Sequence, residues 1–241
     1  MRLDVYLAEN GYVTSRTEAK KFISAGGVKV NGKIITKSSA DVDGSVNIEV
    51  DTGLKKYVSR GGLKLEAALL SFGVSPEGKK AIDIGASSGG FTDCLLKFGA
   101  SHVIAVDSGT DQLASSLRNH ERVTSLENFN ARYMKPDDFE YLADIAVMDV
   151  SFISATYLMK PLYDSLAPNA DFICLIKPQF EVGRANIGKG GIVKDEKARE
   201  NAKKTVIDFA RSIGFDCLGT IVSPIEGGDG NIEFLAHFKK V

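Results

Sequence analysis

Residues 81–92 read Ala-Ile-Asp-Ile-Gly-Ala-Ser-Ser-Gly-Gly-Phe-Thr, an apolar run that leads into a glycine-rich turn. Similar apolar runs recur at residues 103–106, 145–148 and 172–176. Short runs that are apolar at every position are typical of parallel strands buried on both faces of a sheet. Stretches with helical spacing of apolar residues lie between and after them, at residues 92–98, 154–166 and 196–212. This alternation predicts an α/β domain, a doubly wound Rossmann-like sheet with helices on both faces.

The glycine-rich turn lies where such a domain binds its ligand. Ligands of doubly wound sheets bind at the carboxyl ends of the strands, and glycines allow the backbone to approach them closely. A dinucleotide site needs the spacing G-x-G-x-x-G, and a P-loop needs Gly-Lys-Ser/Thr; the turn has neither. By itself it therefore indicates a cofactor without identifying one. The candidate cofactor-binding residues of the turn are Gly85, Ala86, Ser87, Gly89, Gly90 and Phe91.

Two aspartates in successive predicted strands narrow the choice of cofactor. Asp107 follows residues 103–106, where its carboxylate could accept both ribose hydroxyls of an adenosyl group. Asp83 could engage a cationic amino group, and Asn130, between the runs at residues 103–106 and 145–148, could border an adenine. A lone aspartate at a strand end is commonly a helix cap or a loop residue. Two at successive strands resemble the arrangement in S-adenosylmethionine-dependent methyltransferases.

Four further ionisable side chains occur in apolar surroundings, where an unpaired charge is unfavourable. They are Lys64, Asp149, Lys177 and Glu233. An internal salt bridge would explain any one pair of these residues. All four together at the functional edge of the sheet favour a catalytic site. Desolvation and the second lysine would favour a neutral amine on Lys177, and the two carboxylates would oppose this. Asp149 is also a candidate cofactor-binding residue.

The first 60 residues differ from the rest in charge and pattern. They carry ten Lys or Arg against seven Asp or Glu (+3), whereas residues 61–241 carry twenty against twenty-four (−4). Apolar spacing predicts a helix pair, with Thr14-Ser15 as N-cap of the second helix, and residues 28–34 contain an Asn-Gly hairpin signal. Cations on this helix and hairpin would converge on one surface and bind phosphate. A solvated charged face is the alternative.

These residues resemble the S-four-type RNA-binding domain. The resemblance is carried by Arg2-Leu3-Asp4, by Ser15-Arg16 with Ala19, and by Gly-Val-Lys-Val-Asn-Gly at residues 27–32. It implies recognition of structured RNA through shape and phosphate contacts. We predict this domain at residues 1–54, a polar connector at 55–62 and the α/β domain at 63–241. The candidate RNA-binding residues here are Arg2, Arg16, Lys20, Lys21, Lys29, Asn31, Lys33 and Arg60.

The α/β domain resembles the FtsJ-like ribose 2′-O-methyltransferases, whose Lys-Asp-Lys-Glu tetrad matches the four ionisable residues in their order along the chain. A ribose hydroxyl is a poor nucleophile, so its proton must be removed or steered while its oxygen is held in line with the methyl donor. The hypothesis is that Lys177 acts as base or steering group. Asp149 and Lys64 would position the hydroxyl and the cofactor, and Glu233 would complete the network.

With residues 223–233 included, essentially the whole chain resembles the TlyA family. The resemblance implies an S-adenosylmethionine-dependent enzyme that methylates the 2′-oxygen of cytidine in ribosomal RNA, free or within ribosomal subunits. Arg184 and Lys189, in a glycine-rich loop after Lys177, would then contact RNA. Many members carry a haemolysin label. The alternatives are therefore a membrane-active protein and a non-catalytic RNA-binding or ribosome assembly factor.

The composition argues against disulfide-rich, metal-binding and membrane-spanning proteins. With 44% hydrophobic and 25% charged residues among 241, the chain is typical of an ordinary globular protein. Three widely separated cysteines, Cys94, Cys174 and Cys217, predict neither a disulfide framework nor a metal site. No stretch reaches the roughly 18 apolar residues of a membrane span, and the first residues do not form a signal peptide. We therefore expect a soluble, cytoplasmic protein.

Overall fold

The computed structural model describes residues 1–13, 15–44, 46–50 and 56–241. The chain divides into two compact units, Met1–Arg60 and Gly61–Val241. Gly61 and Gly62, which the sequence assigned to the connector, form the first turn of a helix. Residues 51–55, where we placed the end of the first domain and the start of the connector, lie outside the described residues, as does Thr14. The predicted domain limits stay predictions.

The first unit contains two helices and a small antiparallel sheet of order β2-β1-β3. The elements are α1 (Leu3–Glu9), α2 (Arg16–Ser24), β1 (Val28–Val30), β2 (Lys33–Ile34) and β3 (Ile48–Val50). The Ser15 hydroxyl accepts a hydrogen bond from the backbone N–H of Glu18 at 3.1 Å, which confirms Ser15 as the N-cap of α2. Asn31 and Gly32 have φ of +51° and +76°, as a tight hairpin turn requires. The predicted helix pair and hairpin are confirmed.

The second unit is a seven-stranded sheet of order β6-β5-β4-β7-β8-β10-β9. Strands β4 to β8 run parallel, and β10 is antiparallel to both β8 and β9. The strands are β4 (Lys80–Ile84), β5 (His102–Val106), β6 (Val123–Leu126), β7 (Ala143–Met148), β8 (Leu166–Ile176), β9 (Phe215–Val222) and β10 (Phe234–Lys240). The helices are α3 (Gly61–Phe72), α4 (Gly90–Lys97), α5 (Ser115–Arg118), α6 (Thr156–Asp164), α7 (Pro178–Glu181) and α8 (Glu196–Ser212).

The four apolar runs of the sequence lie in β4, β5, β7 and β8, where burial on both faces explains their composition. The predicted helix at residues 196–212 has the bounds of α8. The helix predicted for residues 154–166 is shorter, because it ends at Asp164 and Leu166 already begins β8. Burial alternates along β9, as expected for an edge strand with one solvated face.

Helices cover both faces of the large sheet. Phe238 of β10 belongs to the core that also contains Val206 of α8, whereas the neighbouring His237 contacts Phe72 of α3. Successive residues of a strand point to opposite faces, so α3 and α8 lie on opposite sides of the sheet. The doubly wound prediction is confirmed. Within the described residues, no helix combines the length and apolarity that crossing a membrane requires.

Candidate active site

A pocket of about 400 Å³ lies at the carboxyl ends of β4, β5 and β7. This is the edge at which doubly wound sheets bind ligands, and the volume is in the range of small-molecule sites. Its lining mixes carboxylates and hydroxyls with apolar side chains such as Phe129 and Leu158. The predicted cofactor-binding residues that line it are Gly85, Ser87, Asp107, Asn130 and Asp149.

The other predicted residues of the glycine-rich turn lie behind this lining. Ala86, Gly90 and Phe91 are buried, and Gly89 is the N-cap of α4 with φ of +95°. A Cβ at Gly89 would overlap the side chains of Leu113 and Leu117, so this glycine is needed for packing. Among the pocket-lining residues that the sequence did not single out are Ser151 and Phe152, which follow β7.

Gly85 allows the ends of two parallel strands to meet at the floor of the pocket. Its φ is +81°, and a Cβ there would lie 2.5 Å from the carbonyl oxygen of Asp149. Any other residue would strain the turn and push the start of the loop after β7 away. The glycine therefore fixes where Asp149 stands relative to the turn.

Asp107 is held by the backbone that surrounds it. Its two carboxylate oxygens accept hydrogen bonds from the N–H groups of Ser87, at 2.8 Å, and Gly109, at 2.7 Å. Each oxygen of an ionised carboxylate can accept a second hydrogen bond. Asp107 can therefore accept two further donors from a ligand in the pocket that it lines.

Sequence reasoning missed Glu127, a third acid at the end of a neighbouring strand. Its carboxylate accepts hydrogen bonds from the backbone N–H groups of Leu113, Asp111 and Gln112, at 2.7 to 2.9 Å, which lowers its pKa. Gln112 lines the pocket. Glu127 thus positions one wall of the pocket, and its place directly after β6 was the available signal.

Asp83 lies beneath the pocket and is fully buried. Burial raises the pKa of its carboxyl group to about 7, and Asp149 and Asp107 act in the same direction. Thr92 donates a hydrogen bond to Oδ2 at 2.7 Å, whereas Oδ1 has no hydrogen-bond partner among the described residues. A cationic donor nearby would favour the ionised form. Asp83 does not line the pocket, so its predicted contact with a cofactor stays a prediction.

The four predicted catalytic residues form two ion pairs. Nζ of Lys64 lies 2.5 Å from Oε2 of Glu233, and Nζ of Lys177 lies 2.5 Å from Oδ1 of Asp149. Phe234 pairs with Ile176 and Met148 pairs with Cys174. Asp149 and Lys177, which follow β7 and β8, therefore lie at the same edge of the sheet as Glu233, which precedes the antiparallel β10. These four residues, which the sequence spreads over 170 positions, thus lie at one edge of the sheet, but Lys64, Lys177 and Glu233 are not among the residues that line the pocket.

The two pairs differ in burial. The side chains of Lys64 and Glu233 are 9% and 2% exposed, whereas those of Lys177 and Asp149 are 12% and 22% exposed. Lys177 also donates a hydrogen bond to the Ser151 hydroxyl at 2.8 Å. Lys64 and Glu233 thus form the deeper pair, and Asp149, in the shallower pair, also lines the pocket.

Residues 223–233 connect Glu233 to the glycine-rich loop after Lys177. The buried side chain of Asn231 accepts a hydrogen bond from Val193 N–H and donates one to the Gly191 carbonyl, both at 3.0 Å. A Cβ at Gly227 would lie 2.5 Å from Oε1 of Glu233, so a side chain at this position would displace the buried carboxylate. The sequence did not predict the role of Asn231, because its hydrogen-bond partners are distant along the chain. Arg184 and Lys189 are both exposed on short turns of the loop.

In the first unit, a buried aspartate organises two predicted RNA-binding arginines. Asp4 accepts hydrogen bonds from Arg2, at 2.9 and 3.1 Å, and from Arg16, at 3.3 Å. The bond from Arg2 is the main reason why the pKa of Asp4 is lowered to about 2. Both guanidinium groups remain about half exposed, so they are held in place with donors still available for phosphate.

The other predicted RNA-binding residues do not all share one surface. Lys29 pairs with Ile34 and Glu49, whereas Lys33 pairs with Val30, which places the two lysines on opposite faces of the hairpin. The expected convergence of cations from α2 and the hairpin, namely Arg16, Lys20, Lys21, Lys29 and Lys33, on one surface is therefore wrong for the two hairpin lysines. Lys20 and Lys21 are exposed on α2, and Arg60 is half-buried.

Asn31 has a structural role in the hairpin. Its side-chain oxygen accepts a hydrogen bond from Asn47 N–H at 2.8 Å, and its own N–H donates to the Asn47 carbonyl at 2.8 Å. With its positive φ, Asn31 shapes the turn and ties it to the segment before β3. Its predicted contact with RNA stays a prediction.

Known proteins match both parts of the chain. The S4 domain model matches residues 1–48, and the FtsJ-like methyltransferase model matches residues 57–240. Hemolysin A of Brachyspira hyodysenteriae is 46% identical over 99% of both chains. The 16S/23S rRNA (cytidine-2′-O)-methyltransferase TlyA of Mycobacterium tuberculosis is 39% identical over 97% of this chain and 87% of its own.

Solved structures give the same result for the fold. A structure from Streptococcus thermophilus that carries a haemolysin name matches with a TM-score of 0.80 at 45% identity, over 100% of this chain and 88% of that one. The N-methyltransferase NodS of Bradyrhizobium japonicum, in complex with S-adenosylhomocysteine, matches with a TM-score of 0.53 at 13% identity. That match covers 79% of this chain and 91% of NodS, and it shows similarity of fold alone.

Proposed function

Because this chain belongs to the TlyA family of FtsJ-like methyltransferases with an N-terminal S4 domain, we propose that it methylates the ribose 2′-oxygen of a cytidine in cytoplasmic ribosomal RNA. S-adenosylmethionine would be the methyl donor. The observation that carries the proposal is the partly exposed Lys177–Asp149 pair, whose Asp149 lines the same pocket as Asp107. Lys177, which can accept a proton, and Asp107, which can bind the ribose of an adenosyl group, would thus act in one site.

The residues of the pocket fit S-adenosylmethionine. Asp107 has acceptor capacity for two ribose hydroxyls, while Phe129, Ala131 and Leu158 offer apolar surface for an adenine ring. Asp83 lies beneath this lining, and its Oδ1, which has no hydrogen-bond partner among the described residues, would accept a hydrogen bond from the cationic amino end of this ligand. When bound, S-adenosylmethionine supplies a methyl group on a sulfonium centre.

Lys177 is the residue that acts on the substrate hydroxyl in this proposal. In its neutral form, the amine can accept the proton that the ribose 2′-hydroxyl loses as its oxygen becomes nucleophilic. Asp149, 2.5 Å from Nζ, stabilises the ammonium formed by that transfer. The proton can then pass to water, because both side chains retain some exposure.

The Lys64–Glu233 pair supports this arrangement from below. A charge as deeply buried as that of Glu233 needs its partner, so the pair joins the start of α3 to the start of β10. Glu233 is adjacent in register to Lys177, across the β8–β10 pairing. The pair therefore positions the strand ends from which the reactive groups project.

An exposed aromatic ring beside the pocket suits a nucleobase. Phe152 lines the pocket and is 92% exposed, and its ring centre lies 5.3 Å from that of Phe180. An aromatic ring exposed beside a pocket offers a flat apolar face that a ligand can contact. RNA-binding proteins use such rings to stack unpaired bases, and the base of the target nucleotide would stack here.

The test is methyl transfer from labelled S-adenosylmethionine to ribosomal subunits purified from cells that lack the gene. We expect label on a ribose 2′-oxygen of ribosomal RNA, mapped to a cytidine, with the full-length protein. Lys177→Ala should lower the rate at least about 100-fold while cofactor binding, measured by calorimetry, is retained. Undiminished transfer by this variant would remove Lys177 from the mechanism. Absence of transfer by wild type, despite cofactor binding, would favour a non-catalytic assembly factor.

The Hemolysin A relative brings a membrane-active protein as a second candidate. Leakage of dye from liposomes of phosphatidylcholine and phosphatidylglycerol tests it directly. The methyltransferase proposal expects no leakage at protein concentrations that give full methyl transfer. Leakage that persists in the Lys177→Ala variant would reveal a separate membrane activity.

A further inference from the structure

We propose that Ser151 is a positioning residue for the reaction: its hydroxyl accepts one N–H of Lys177 and thereby directs the remaining face of that amine toward the ribose hydroxyl. The inference rests on the proposed function, because it concerns the same proton transfer. It adds a fifth residue to the two ion pairs.

The contacts of Lys177 are the starting point. Its Nζ lies 2.5 Å from Oδ1 of Asp149 and donates a hydrogen bond to Oγ of Ser151 at 2.8 Å. A lysine amine has three positions besides its bond to carbon. The Ser151 hydroxyl fixes one of them through a hydrogen bond, whereas Asp149 attracts the amine through its charge. With one N–H fixed on Ser151, the lone pair of the neutral amine is confined to the two remaining positions.

Ser151 stands where this direction matters. It is exposed and lines the pocket, between Asp149 and the aromatic ring of Phe152. A substrate hydroxyl that approaches Lys177 from the pocket therefore passes beside the serine. Correct orientation of a catalytic group accounts for large rate factors, since a misplacement of about 1 Å can lower a rate 100-fold.

The chemical type of the second acceptor is equally informative. A hydroxyl is neutral, so it orients Lys177 without adding a negative charge that would hold the proton on the amine. A second carboxylate at this position would orient the amine too, but it would favour the ammonium, which cannot accept a proton. A serine gives direction without that penalty.

The loop that carries Ser151 is anchored at its far end by the segment that carries Lys177. Glu181 of α7 accepts hydrogen bonds from the Ser154 hydroxyl, at 2.6 Å, and from Ala155 N–H, at 2.9 Å. Burial raises the pKa of Glu181, and these two bonds oppose that rise. Phe152, between the two anchors, has φ of +64°, a conformation that holds only where the surroundings enforce it. Ser151 and Lys177 are thus fixed relative to each other.

The experiment compares Ser151→Ala and Ser151→Thr with wild type in single-turnover methyl transfer to ribosomal subunits from cells that lack the gene. S-adenosylmethionine and enzyme are both saturating, and cofactor affinity is measured by calorimetry. Ser101→Ala is the control, because Ser101 is exposed at the amino end of β5, away from the pocket. Ser151→Asp, assayed from pH 6 to pH 9, tests the requirement for a neutral acceptor.

We expect Ser151→Ala to lower the single-turnover rate constant about 10- to 100-fold, with subunit and cofactor affinities unchanged within about threefold. Ser151→Thr should recover most of the rate, because it restores the hydroxyl. Ser151→Asp should require a higher pH than wild type to reach its maximal rate. A rate for Ser151→Ala within about twofold of wild type, or no recovery in Ser151→Thr, would overturn the proposal.

The experiment distinguishes failure of the positioning role of Ser151 from failure of the proposed methyltransferase function. If wild type and Ser101→Ala transfer no methyl group to any ribosomal RNA, the proposed function fails and the role of Ser151 fails with it. If both transfer methyl groups at equal rates and Ser151→Ala does so as well, the positioning role alone is refuted.

Discussion

Replacing each lysine of the two ion pairs by methionine should separate framework from chemistry. Lys64→Met leaves the Glu233 carboxylate, 2% exposed, without its cation. Removing one partner of a buried pair costs about 3–5 kcal/mol, because the remaining charge stays desolvated. Lys177→Met leaves Asp149, whose side chain is 22% exposed and can be hydrated. The Lys177→Met variant should therefore lose about 1–2 kcal/mol of stability, a value between those typical of surface ion pairs and of buried ion pairs.

The free energy of unfolding would be measured by urea denaturation at pH 7.5, fitted with separate transitions where the two units unfold independently. The double variant Lys64→Met/Glu233→Met should recover to within about 1–2 kcal/mol of wild type, because no buried charge is then left unpaired. Lys177→Met should lose methyl transfer while it remains folded. Equal losses of stability in the two single variants, or a double variant no more stable than Lys64→Met, would refute the assignment of the deeper pair as framework.

Three further outcomes follow from contacts elsewhere. Asp83→Asn should exceed wild type in stability by roughly 2–4 kcal/mol at pH 8, since the folded carboxyl with a pKa of about 7 must ionise while buried. Ionisation of Asp83 lowers the free energy of unfolding of wild type as the pH rises from about 4 to 7. The difference in stability between Asp83→Asn and wild type, measured by urea titration, should therefore grow over that range. A difference that stays constant with pH would contradict the burial of an ionising carboxyl group. Gly85→Ala should lower the free energy of unfolding by more than about 2 kcal/mol and weaken S-adenosylmethionine binding in calorimetry. The control Gly73→Ala has φ of +65° and open space around it, so it should lose only the backbone strain of about 1 kcal/mol. Equal effects of the two substitutions would contradict the steric explanation. Lys20→Ala should weaken RNA binding and reduce the slope of log affinity against log salt by about one in filter-binding assays, and an unchanged slope would exclude a phosphate contact.

The amino-acid sequence by itself determined four of the seven strands of the large sheet, the turn and the types of reactive group. The runs in β4, β5, β7 and β8 are apolar apart from Asp83, and burial on both faces of a parallel sheet is a local requirement that composition records directly. The Asn-Gly hairpin and the Ser15 cap are equally local, since each depends on the conformation or hydrogen bonding of a few consecutive residues.

The tertiary structure alone decided which groups meet. Lys64 and Glu233 are 169 positions apart, and their pairing depends on β10 lying beside β8 in a strand order that no local pattern specifies. The placement of Lys29 and Lys33 is local by contrast, because the two-residue turn fixes the hairpin register that puts them on opposite faces. Glu127, Asn231 and Ser151 gain their roles from backbone or side-chain atoms brought close by folding. The physical reason is that secondary structure reflects periodic burial along the chain, whereas hydrogen bonds and ion pairs act over a few ångströms, between residues at any separation in sequence.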